Sequence, residues 1–218
     1  MRKKSRSKIT NSLFIVAALV LLIGGSIAWA QRRTNTPVAV QTGLIQTDES
    51  AAPDEVKPQV DEYSVAADLP KYLVIESLKI KSRVITLGVN SDNRMQSPAN
   101  IHDTGWYNKS AKPGNVTGTM LMDGHVGGPN EDGVFHDLHK LKPGDAIEVV
   151  KGDNASVRYV VRTTETKDVN QVDMSKMLQP VTAGRGGLNL ITCAGDYNKD
   201  TRQYNERFMV YAERTDAN

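Results

Sequence analysis

From residue 69 onward the chain is written in short β-branched runs cut apart by glycine, proline, asparagine and aspartate. That punctuation limits the fold more than any other feature of the sequence. The runs are Tyr72 to Ile75, Ser82 to Leu87, Gly118 to Met122, Ala146 to Val150, Val157 to Thr164, Leu188 to Cys193 and Phe208 to Glu213. Regular spacing with turn-forming residues between the runs predicts an all-β barrel or sandwich. Only Val172 to Leu178 reads as a short helix, and Phe135 to Leu141 adds a turn. The segment is of ordinary size for one domain.

The N-terminal part obeys different rules. Residues 1–11 carry five basic side chains and no acid, and residues 12–30 are apolar apart from small residues and two glycines. At 1.5 Å per residue this run would span roughly 28 Å, near the thickness of a bilayer's hydrocarbon core. The basic flank precedes it, so the positive-inside rule predicts a cytoplasmic tail, a single-pass membrane anchor and an extracytoplasmic remainder. Ala28-Trp29-Ala30 also fits a cleavage site, and a removed signal sequence is the alternative. Residues 31–68 are rich in Thr, Gln, Pro and acids without a sustained period, which predicts a flexible linker spanning about 34 Å as a random coil.

The formal charge of +2 averages these two regions. Residues 1–33 hold seven Lys or Arg and no acid, leaving 20 basic against 25 acidic residues in the rest. An acidic exported domain excludes nucleic-acid binding as a main role.

Cys193 is the only cysteine. Outside the cytosol cysteines usually pair as disulfides, so a single one points to a reactive thiol or an intermolecular bond. A buried structural thiol is the alternative. At the ordinary pKa near 8.5 only about 3% of a thiol is ionised at pH 7, so a nucleophilic cysteine needs a neighbouring imidazole or guanidinium. His125 follows the run Thr119 to Asp123 and lies among Gly124, Gly127 and Gly128, which lets a strand end turn sharply. Arg207 opens the strand after that of Cys193, where it could steady an oxyanion, and Arg202 in the same connection is the runner-up. His136 and His139 could share a helix face around zinc, but no second ligand pair is evident, so no metal site is assigned.

The ordered set Gly124-His125, Gly133 to Leu138, Lys142-Pro143-Gly144-Asp145, Leu190-Ile191-Thr192-Cys193 and Arg207 to Ala212 resembles the sortases, membrane-anchored cysteine transpeptidases of the bacterial surface. Gly105-Trp106-Tyr107 with Pro113-Gly114 looks most like the branches called class E and class F, and Asp196-Tyr197-Asn198 resembles class A. The resemblance implies an eight-stranded β-barrel with short helices over residues 69–218, with a groove on one face. It implies catalytic roles for His125, Cys193 and Arg207, a substrate-positioning role for Thr192, and no cofactor. Cys193 would form a thioester with a protein carrying a C-terminal Leu-Pro-x-Thr-Gly-like sorting motif, and an amine of the cell wall or of a pilin would resolve it. Calcium-responsive members carry clustered acids before the histidine strand, where residues 95–118 offer only Asp103. Two other readings use the same residues differently: an exported cysteine peptidase or amidase acting on cell-wall peptides with water as acceptor, and a membrane-tethered binding domain with a structural thiol.

Overall fold

The computed structural model describes residues 53–215. The basic tail at 1–11, the anchor or signal segment at 12–30 and the linker as far as residue 52 lie outside the described residues. Among the described residues no helix is long and apolar enough to cross a membrane.

Eight strands among the described residues close into a barrel: β1 (Pro70–Ile75), β2 (Ile80–Leu87), β3 (Thr104–Tyr107), β4 (Thr119–Gly124), β5 (Ala146–Lys151), β6 (Ser156–Asp168), β7 (Gly187–Asn198) and β8 (Gln203–Arg214). Their order around the barrel is β1-β2-β3-β4-β7-β8-β6-β5. β2 pairs with β3 and β4 with β7 in parallel, and the other neighbours are antiparallel. All seven runs read from the sequence are strands. The eighth, β3, escapes the alternation rule because every residue in it is buried. Trp106 points into the main core and Tyr107 into a second one, so neither face of β3 shows water a polar stripe.

The period of two sorts side chains into these two layers. Leu188 and Leu190 of β7, Met120 and Met122 of β4, and Val210 and Ala212 of β8 fill the barrel. Leu121, Ile191, Met209 and Tyr211 face the other way and form an outer cluster with Met95, Tyr107, Met174 and Met177. One helical turn, α1 (Met174–Met177), caps that cluster, with the Asp173 carboxylate accepting from the amides of Ser175 and Lys176. Buried Asn189 on β7 holds this segment down by donating to the carbonyls of Met177 (2.9 Å) and Gln179 (3.0 Å).

Several boundaries differ from the sequence expectation: β6 runs on to Asp168 and β8 begins already at Gln203. β7 continues past Cys193 to Asn198, because Gly195 and Asp196 form a bulge in the hairpin with β8 and do not end the strand. Residues 53–68, composed like the linker before them, lie against the barrel. The Tyr63 hydroxyl donates to the Val84 carbonyl (2.7 Å), the Tyr72 hydroxyl donates to the Val60 carbonyl, and Asp54 bridges to Asn100. Tyrosine anchors and main-chain pairing outweigh a polar composition here.

Candidate active site

Register brings the expected residues together. In the parallel pair β4–β7, Asp123 stands opposite Ile191, so two residues further along His125 comes level with Cys193. A hydrogen bond from the Thr192 hydroxyl to the Gly124 carbonyl (2.7 Å) holds the two strand ends in that register. In the antiparallel pair β7–β8, Cys193 stands directly opposite Arg207. Adjacent strands are about 4.8 Å apart, so the backbone at Cys193 lies between those at His125 and Arg207, which stand some 10 Å apart. Leu121, Ile191 and Met209 belong to the outer cluster, and stepping by twos places His125, Cys193 and Arg207 on that same outer face.

All three side chains are covered: Cys193 is 2% exposed, Arg207 3% and His125 6%. The His125 Nε2 atom lies 2.8 Å from the Pro98 carbonyl. A carbonyl only accepts, so Nε2 carries the hydrogen of that bond. The His125 carbonyl accepts from the Phe135 amide (2.9 Å). A side chain on Gly133 would come within 2.3 Å of that carbonyl, so the close approach requires glycine.

Arg207 donates through Nη1 to the carbonyls of Glu206 (2.8 Å) and Tyr204 (3.2 Å). Its Nε is buried with no hydrogen-bond partner among the described residues. A buried donor left unmade costs about 1–3 kcal/mol. Retaining such a donor beside a thiol is the arrangement a developing oxyanion would satisfy. Arg202 lies elsewhere, exposed in the turn between β7 and β8 with φ 55.

Thr192 faces the barrel side, with its hydroxyl spent on Gly124. His136 contacts Asp132 (3.2 Å), and the Nδ1 of His139 lies 3.1 Å from the His136 carbonyl. Among the described residues no group of three or more His, Cys, Asp or Glu side chains could hold a metal ion. Asp103 is engaged by Arg83 through two hydrogen bonds (2.7 and 2.9 Å). Sequence reasoning missed the Pro98 carbonyl, because a main-chain acceptor leaves no mark on residue type. It also missed Asn189, which reads as an ordinary strand position.

The class that this barrel and its buried thiol on β7 define is the cysteine transpeptidase. A family model described as the sortase domain matches residues 73–215, and the chain belongs to the sortase family. Sortase A from Corynebacterium diphtheriae, as a lid mutant, is 22% identical with a TM-score of 0.53, covering 69% of this chain and 72% of that one. Sortase C1 from Streptococcus agalactiae is 22% identical with a TM-score of 0.52, covering 70% of each. Clostridium perfringens sortase C with the C-terminal cell wall sorting motif is 24% identical with a TM-score of 0.50, covering 69% of this chain and 72% of that one. At these identities the likeness concerns the fold. No curated protein matches the chain.

Proposed function

We propose that this sortase attacks a Leu-Pro-x-Thr-Gly-like motif with Cys193 and passes the acyl group to an amine of the cell wall or of a pilin. The observation that carries the assignment of roles is that Cys193 and Arg207 stand opposite each other on β7 and β8, with His125 level with them just past the end of β4. Sγ of Cys193 adds to the carbonyl before the scissile bond, and the oxyanion takes hydrogen bonds from Arg207. Collapse breaks the carbon–nitrogen bond, and His125 gives a proton to the departing amine. The thioester is then attacked by a second amine, whose proton returns to His125 as the thiolate leaves. With Nε2 bonded to Pro98, Nδ1 is the nitrogen this exchange would use. Thr192 would act on the substrate through its backbone, since its hydroxyl is engaged. The class E or F branch rests on Gly105-Trp106-Tyr107 and Pro113-Gly114, and the single-pass anchor with an extracytoplasmic domain rests on residues 1–30.

Mass spectrometry of a panel of Leu-Pro-x-Thr-Gly peptides, incubated with and without triglycine, tests this reading. An exchanged amide is the expected product. Hydrolysis alone, unchanged by added amine, would favour the peptidase reading.

A further inference from the structure

His125 is gripped from two sides by loops that share no strand. Pro98, whose carbonyl accepts from its Nε2, belongs to the connection between β2 and β3. The connection after β4 holds its backbone, with the Phe135 amide on the His125 carbonyl and the Gly133 amide on the Val126 carbonyl (3.1 Å). The two loops also meet directly, where the Val134 amide donates to the Ile101 carbonyl (2.8 Å) and where His102 Nε2 lies 3.5 Å from the Glu131 carboxylate.

Residues 54–56 cross both. The Asp54 amide donates to the Ala99 carbonyl (2.7 Å), next to Pro98, and the Asp54 carbonyl accepts from the Ile101 amide (2.9 Å). Buried Asn100 donates to the Val56 carbonyl (2.7 Å), and His102 Nε2 lies 3.0 Å from the Glu55 carbonyl. On the other side the Glu55 carboxylate accepts from the Asn130 amide (2.9 Å), the Asn130 side chain (3.0 Å) and the Glu131 amide (3.2 Å). Gly128 makes room for it: a Cβ there would lie 2.3 Å from Glu55 Oε1. Three donors around one carboxylate, over a glycine where any Cβ would push Glu55 out of place, make a seat shaped for that group.

We propose that residues 54–56, through Glu55 and Asn100, form a brace that positions the His125 imidazole for proton transfer. Glu55 and Asn100 are positioning residues, which touch neither the thiol nor the substrate. Losing the brace leaves one main-chain bond and the exposed His102–Glu131 pair between the loops, and frees Pro98 to drift from Nε2. A shift of about 1 Å in a proton-transfer group can cost on the order of 10²-fold in rate. The inference rests on the catalytic role proposed for His125.

The test uses the full chain and the peptide of the panel that it turns over fastest, with triglycine as amine. Kinetics are read well below the melting temperature of each variant. Glu55→Ala and Asn100→Ala are expected to lower kcat about tenfold or more while KM stays within twofold, and Glu55→Gln to recover part of the loss because it keeps an acceptor in the seat. Gly128→Ala should mimic Glu55→Ala by filling the seat. A kcat within twofold of the parent in all these variants, or a rise in kcat, overturns the brace. His125→Ala separates the two levels: if it keeps turnover, the role of His125 itself fails, whereas an inactive His125→Ala beside normal brace variants ends only this inference.

Discussion

At the scale of single residues, what matters is which face a side chain takes and what it touches. Cys193 and Thr192 are neighbours with opposite fates, one on the outer face opposite Arg207, the other tying β7 to β4. Cys193→Ala is expected to abolish amide exchange while the protein still melts cooperatively, because a small buried group is lost but the covalent route disappears with it. Turnover near the parent rate would rule out the thioester. Arg207→Ala is expected to lower kcat about 10²-fold or more, as when an oxyanion donor is removed. Arg202→Ala, altering an exposed turn, should leave kcat within twofold. If the two results are exchanged, the oxyanion donor has been misassigned. Residue types and position suggested that Cys193 and His125 could share a cleft, and the parallel register of β4 and β7 brings the two positions level. The preference for Arg207 over Arg202 came from its place at the head of the next apolar run, and the register of β7 and β8 sets it opposite Cys193.

At the scale of elements, the outer cluster is a second core that supports the strand ends. α1 is a single turn with little helix stability of its own, so its place depends on Met174 and Met177 and on the Asn189 clamp. Met177→Ala is expected to destabilise the protein by about 2–4 kcal/mol, read by denaturant melts, because Met177 is fully buried. An effect under about 0.5 kcal/mol, the size of a surface substitution, would mean the helix rides on the barrel without supporting it. The sequence shows the helix but not its target. Apolar residues at β7 and β8 positions that would normally face water make sense only when something covers them, and nothing local says what does.

At the scale of the whole molecule, the barrel is fastened by carboxylates that join β6, β8 and the segment between β6 and β7. The Thr182 hydroxyl, then Arg162, with Arg185 nearby, hold the Glu213 carboxyl below its ordinary range. Lys176, Lys167 and the Tyr211 hydroxyl do the same for Glu165. A carboxyl whose folded value is depressed adds stability that is present above its unfolded value, about 4.3 for Glu, and is lost as pH falls through the folded value. The melting temperature is therefore expected to fall below about pH 4.5, and Glu213→Gln to flatten that acid slope. An unchanged slope would show that these pairs are equally formed in the unfolded chain. By itself the sequence determined the all-β character, seven of the eight strands, and the thiol, imidazole and guanidinium, because periodicity, turn residues and reactive groups are properties of short stretches. Only tertiary structure decided that β4 and β7 lie side by side in parallel, that the outer face carries its own core, and that residues 53–68 pack on the barrel. Those are contacts between distant segments, set by closing the barrel, and no local pattern encodes them.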